Sequence, residues 1–269
     1  MSPADTSPAG HASIKQCCAR LYESDLTRLL LGESFHPGGL RLTERLGILL
    51  GLNPGSRVLD VASGKGTSAI FLAKRFGCEV DGIDYSAQNV EQAAAAAATK
   101  GLTPRVRFRQ ADAERLPADD GHYDAVICEC AFCTFPDKRA AAREFARVLH
   151  HGGGVGLSDL TRVPELPRQL DGLLAWLACI ADAQLLESYS AHLAEAGMRV
   201  TRTETHNDAL AEMVHEVRGK LLGIEIMKGL KKLDLPDVDL TEAKAMARTA
   251  LEAIAQGKIG YAIVCGVKC

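Results

Sequence analysis

The chain has 269 residues, 47 % hydrophobic and 24 % charged, with a formal charge of −3 and a pI near 6.2. That balance excludes a disordered or fibrous protein and a broad nucleic-acid footprint, and no apolar run approaches the roughly 18 residues of a membrane span. Nine cysteines, an odd count, follow a polar opening of ten residues without an apolar export stretch; this argues against a disulfide framework and makes the cytoplasm the expected location.

Residues 1–10 read as a flexible tail and 11–269 as a single domain. Ala12 to Leu31 places Ile14, Cys17, Cys18, Leu21, Leu26, Leu29 and Leu30 at helical spacing. His36-Pro37 and Gly38-Gly39 break that helix, and Leu40 to Leu50 resumes one, so 11–50 forms a helical cover. Alternation follows. Strands are expected at Arg57–Val61, Cys78–Asp84, Val106–Arg109, Tyr123–Cys128 and Val155–Ser158, with helices at Ala69–Phe76, Ser86–Lys100 and Lys138–Leu149, the last ended by a turn at Gly152–Gly154. Beyond them come an apolar helical stretch with the only tryptophan (Leu166–Ala183, Trp176), a helix at Leu186–Ala196 and a strand at Arg199–Glu204. A helical insert at 209–256 and a closing strand, Ile259–Val267, complete the chain. Strands alternating with helices predict an α/β fold, a doubly wound sheet covered on both faces.

The stretch Asp60-Val-Ala-Ser-Gly-Lys-Gly66 joins the first strand to a helix. Glycines there let a ligand approach the backbone, and the helix start offers it unpaired N–H groups. Asp84 ends the second strand 24 positions after Asp60, about the spacing at which an acidic residue meets ribose hydroxyls. A dinucleotide fingerprint would need glycine at Ala69, and no Gly-Lys-Ser/Thr follows for a P-loop.

On these residues the chain resembles the class I S-adenosylmethionine-dependent methyltransferases. Asp60–Gly66 is similar to their Asp-x-Gly-x-Gly-x-Gly motif, with Ala62 in place of the first glycine. Gln110–Pro117 looks like the Asp-Ala-x-x-Leu-Pro segment, and Arg147-Val-Leu with Gly152–Gly154 looks like the Arg-Val-Leu-x-Pro-Gly-Gly turn. His36–Gly39 with Thr43 resembles the segment that covers the cofactor in small-molecule members. The resemblance implies a Rossmann-like seven-stranded sheet with its last strand antiparallel. It also implies an S-adenosylmethionine site at Asp60, Ala62, Ser63, Gly64, Gly66, Asp84, Tyr85, Asp112, Ala113 and Cys128, where Asp84 holds the ribose and Asp112 the adenine amino group.

For the acceptor, Ala125–Lys138 and Gly156–Asp159 are similar to the arsenite methyltransferases. Cys130 matches one family thiol, Cys179 a second, and Cys17 or Cys18 is the candidate for the third, so these four are the expected metalloid ligands and Cys130 and Cys179 the catalytic pair. Soft thiolates suit a thiophilic substrate. The resemblance thus implies a small thiophilic acceptor such as arsenite; Glu33–His36 carries no cysteine where the family has its third thiol, which leaves open another soft acceptor such as a mercury, selenium or tellurium species. As strand cysteines Cys78, Cys128 and Cys265 read as core packing residues, and Cys269 as a frayed end. Two rivals stand beside that reading: methylation of an apolar small organic molecule, and a non-catalytic S-adenosylmethionine- and metal-binding sensor.

Overall fold

A computed structural model describes residues 15, 36–166, 170, 182–229 and 240–269. The expected tail, all of the helix over 12–31 but Lys15, most of the 166–183 stretch, and Cys17, Cys18, Trp176 and Cys179 lie outside the described residues. Chain order runs α1 (Gly39–Leu49), β1 (Arg57–Val61), α2 (Thr67–Phe76), β2 (Glu79–Asp84), α3 (Ala87–Thr99), β3 (Val106–Gln110) and β4 (Tyr123–Glu129). A 3₁₀ turn (Phe132–Thr134) leads to α4 (Lys138–Val148), β5 (Leu149–Arg162), α5 (Leu186–Glu195), β6 (Met198–Thr205), α6 (Asn207–Gly229), α7 (Leu240–Ala255) and β7 (Ile259–Lys268).

The seven strands form one sheet in the order β3-β2-β1-β4-β5-β7-β6. β7 is antiparallel to both its neighbours, and the other pairs are parallel. Strand alternation sends side chains into two cores. Val58, Ala125 and Ile127 pack with Leu46, Ile70, Leu72 and Ala97 of α1–α3, whereas Leu59, Val61, Val126 and Cys128 pack with Phe145 of α4 and Leu193 of α5. The alanine run of α3 turns Ala93 and Ala97 onto the sheet, which brings that helix close. Ser86 caps it by accepting from the Asn89 N–H at 3.0 Å, and Asp137 caps α4 through the Ala140 N–H at 2.8 Å.

One expected turn is absent. Gly152–Gly154 lie inside β5, which begins as soon as α4 ends. Leu149 pairs with Tyr123 and Gly154 with Ala125, so the residues between bulge out of the ladder, and Gly152 takes a φ of +83° there.

An ion pair ties the helical cover to the far edge of the sheet. The Arg45 guanidinium donates to both Glu204 oxygens at 2.9 and 2.5 Å, holding that carboxyl down at about 2 against an ordinary 4.5. Because the folded state binds the proton less tightly, this stabilisation is complete above about pH 4.5 and fades as the pH falls toward 2. Arg45→Ala is expected to lower the melting temperature at neutral pH by about 2–4 °C. The difference from wild type should vanish near pH 2, which a pH series of thermal melts checks.

Candidate active site

The loop after β1 is built on left-handed backbone. Ala62, Gly64 and Gly66 have φ of +59°, +52° and +78°. For Ala62 that conformation costs about 1–2 kcal/mol, and the loop is fixed by its bonds to β2. The Ser63 N–H donates to the Ile83 carbonyl at 2.8 Å, and the Gly64 N–H donates to Asp84 Oδ2 at 2.9 Å. The other Asp84 oxygen accepts from the Ser86 N–H at 2.9 Å and from Asn89 Nδ2 at 3.3 Å. One carboxylate thus braces the β1 loop against the start of α3. A Cβ on Gly64 would stand in open space. One on Gly66 would lie 2.5 Å from Phe108 Cζ, and one on Gly82 2.4 Å from Phe108 Cδ1.

This loop walls a pocket at the carboxyl ends of β1, β2, β3 and β4. Asp60, Ala62, Ser63, Gly64, Asp84, Tyr85, Asn89, Asp112 and Ala113 line it, with His36, Glu129, Cys130 and Phe135 toward β4. Three buried polar atoms, Asp60 Oδ2, Ser63 Oγ and Asn89 Oδ1, have no hydrogen-bond partner among the described residues. Each such atom costs about 1–3 kcal/mol unless something supplies its bond. Burial, then Glu129 and Asp84, raise the Asp60 carboxyl well above the carboxylate range. The pocket is acidic and rich in acceptors, so it suits a ligand bearing positive charge and hydroxyl or amino donors and disfavours a phosphate. At its β3 end Lys15 reaches Asp112 at 2.8 Å and Glu114 at 2.6 Å.

At the β4 end lies a group of polar side chains around Glu129. Its carboxylate is 4 % exposed and accepts from Ser68 Oγ at 2.6 Å and Thr43 Oγ1 at 3.0 Å, with His36 Nε2 at 3.6 Å. The sequence motifs point to His36 and Thr43 but not to Glu129, which stands between Cys128 and Cys130. A charged residue closing the apolar run Ala125–Cys128 of a parallel strand is the one signal that marks it.

Residues 58–153 match the family model described as a methyltransferase domain. A curated relative, 27-O-demethylrifamycin SV methyltransferase of Amycolatopsis mediterranei, is 34 % identical over 197 residues, 67 % of this chain and 72 % of that protein. The chain belongs to the S-adenosylmethionine-dependent methyltransferases. Methyltransferase GfsG of Streptomyces halstedii is 32 % identical over 60 % of the chain and 59 % of its own length. Geranyl diphosphate C-methyltransferase of Streptomyces coelicolor shares the fold at a TM-score of 0.75, with 16 % identity, over 99 % of this chain and all of that one.

In this methyltransferase most expected cofactor residues reach the pocket, and two do not. Gly66 caps α2, and its missing side chain makes room for Phe108 rather than for a ligand. Cys128 has the strand parity of Val126, so its thiol is wholly buried in the α4-side core; burial and then Asp159 push it up. Cys130 does line the pocket: a φ of +53° breaks the strand parity, and its N–H donates to the Ser158 carbonyl at 2.7 Å. Cys133 is buried, its N–H on Asp159 Oδ2 at 2.9 Å. Cys78 and Cys265 are core residues whose thiols burial pushes up to about 11. Among the described residues no three His, Cys, Asp or Glu side chains come together as a metal site.

Proposed function

We propose that this methyltransferase moves the methyl group of S-adenosylmethionine onto a hydroxyl of a small organic molecule, with His36 receiving the proton. The observation that carries the reading is the conjunction, in one pocket, of orphaned acceptor atoms with a buried histidine beside a carboxylate. Asp60, Ser63, Asp84, Asn89 and Asp112 are suited to hold the cofactor's amino and hydroxyl groups. Bound there, it supplies a methyl group activated on a positively charged sulfur.

With Nδ1 donating to the Pro37 carbonyl at 3.3 Å, His36 Nε2 would be the basic nitrogen, beside Thr43 Oγ1 at 3.4 Å. The acceptor's oxygen bonds to the methyl carbon, the carbon–sulfur pair stays on sulfur, and the hydroxyl proton passes to Nε2. Glu129, 3.6 Å away, then faces an imidazolium. Phe135 and Ala131 line the same pocket with apolar surface, which favours that pairing. The relative from Amycolatopsis, named for methylation at an oxygen, supports an organic hydroxyl as the acceptor.

A second reading, a thiophilic acceptor such as arsenite, is favoured by one observation: Cys130 is held in a strained conformation on the wall of the same pocket. Cys179 and Cys17 or Cys18 would have to complete its thiol set. An arsenic lone pair carries no proton, so this chemistry needs no base.

Methyl-labelled S-adenosylmethionine, offered with a panel of hydroxylated aromatic and polyketide acceptors and with arsenite plus thiol, separates the readings. Label is expected in an organic acceptor, with His36→Gln slower by about 10²-fold or more and Cys130→Ser within a few-fold of wild type. Transfer to arsenite that Cys130→Ser abolishes would favour the thiophilic reading. Cofactor binding without any transfer would favour a sensor.

A further inference from the structure

We infer that Glu129 reads the charge of the cofactor, favouring the sulfonium of S-adenosylmethionine over the neutral thioether left after methyl transfer. The inference rests on the cofactor assignment above and adds a role for a residue that the cofactor motifs do not contain.

Glu129 is a buried carboxylate without a permanent counter-ion among the described residues. Its bonded partners are three hydroxyls, Thr43 and Ser68 at 3.0 and 2.6 Å and Ser158 at 3.4 Å, and its one possible cation among those residues is the His36 ring at 3.6 Å. No lysine or arginine among the described residues forms an ion pair with it, although Arg45, Arg75 and Arg147 all pair with other carboxylates. Asp60, lining the same pocket and 2 % exposed, keeps one oxygen without a partner among the described residues, and burial, then Glu129 and Asp84, hold its carboxyl well above the carboxylate range, so it supplies Glu129 with no counter-charge. Hydroxyls orient a carboxylate but do not neutralise it, so burial leaves a charge that gains from a cation placed in the pocket.

Position identifies that cation. The strand order β3-β2-β1-β4 sets the four strand ends in a row. Asp112 follows β3 and Asp84 ends β2, so with adenine and ribose at those two, the rest of the cofactor extends past Asp60 toward Glu129. A cofactor held so would place its positively charged sulfur on the Glu129 side of the pocket. When the methyl group leaves, that charge disappears from sulfur while a proton arrives on His36 Nε2. That would hand the counter-ion of Glu129 from sulfur to imidazole, and the spent cofactor, which keeps its α-ammonium and α-carboxylate but no sulfonium, would lose that attraction. The acidic pocket favours the loaded form and releases the used one.

Titration calorimetry on the full chain tests this with S-adenosylmethionine, S-adenosylhomocysteine and sinefungin, whose amine carries the positive charge without a sulfonium. Glu129→Gln preserves an acceptor for Thr43 and Ser68 and removes only the charge. It is expected to lower the affinity ratio of S-adenosylmethionine to S-adenosylhomocysteine by about tenfold, with sinefungin following S-adenosylmethionine. An unchanged ratio, or equal weakening of all three ligands, overturns the inference. Wild-type protein that binds none of the three overturns the cofactor assignment instead.

Discussion

Asp84→Ala is expected to weaken S-adenosylmethionine binding by about a hundredfold. The carboxylate accepts the Gly64 N–H, the Ser86 N–H and Asn89 Nδ2 at 2.9, 2.9 and 3.3 Å, and it does so 9 % exposed. Alanine leaves two backbone donors unpaired and loosens a loop whose left-handed residues are also held by the bonds from Ser63 to Ile83 and from Gly66 to Ser63 and by the start of α2. Hydrogen bonds to a charged group contribute about 1.5–3 kcal/mol each. One such bond's worth of preorganisation, together with the bond that the carboxylate itself would give the ribose, amounts to two factors of ten. Asp84→Asn keeps the shape and one acceptor, so about a tenfold loss is expected. Calorimetry on both variants checks the pair, with thermal melts to show that each is folded. Affinity within threefold of wild type for Asp84→Ala would remove this residue from the site.

The largest effect on stability is expected at Gly66. Alanine there meets two separate penalties, a φ of +78° and a Cβ 2.5 Å from Phe108 Cζ and 3.0 Å from Ala93 Cβ. Left-handed backbone costs about 1–2 kcal/mol and overpacking about 1–3. Together they make about 2–5 kcal/mol, a large part of a typical domain's stability. The two parts are separable. In Gly66→Ala with Phe108→Leu the steric part should shrink and the conformational part remain, so the substitutions should couple by about 1 kcal/mol or more in a double-mutant cycle. Strict additivity in urea unfolding would mean that Phe108 is not what the glycine accommodates.

Much of this architecture is legible in the residues. Parallel strands buried on both faces read as apolar runs, and Ser86, Asp137 and Gly77 punctuate the helices between them. Three features escape such reading for physical reasons. Gly152–Gly154 look like a turn, but β4 offers hydrogen-bonding partners on either side of them, so the segment becomes a bulge within β5. Cys128 and Cys130 look equivalent, two residues apart at a strand end. The left-handed φ at Cys130 ends the alternation, so one thiol enters the core and the other the pocket. Glu129 acquires meaning only from Thr43 and Ser68, which are 86 and 61 positions away in sequence. Local pattern carries no trace of neighbours over such distances.

The position of β7 constrains the order in which the molecule can assemble. Among the described strands β6 is hydrogen-bonded only to β7, yet it is synthesised some fifty residues earlier. During synthesis β3, β2, β1, β4 and β5 can therefore join into a five-stranded platform while β6 waits, and the residues of α6 and α7 are made before β7 can be placed beside β5. Until then β5 presents a bare, apolar edge to other nascent chains, the kind of surface on which aggregation begins. The late arrival of one strand closes that edge and recruits β6 in the same step.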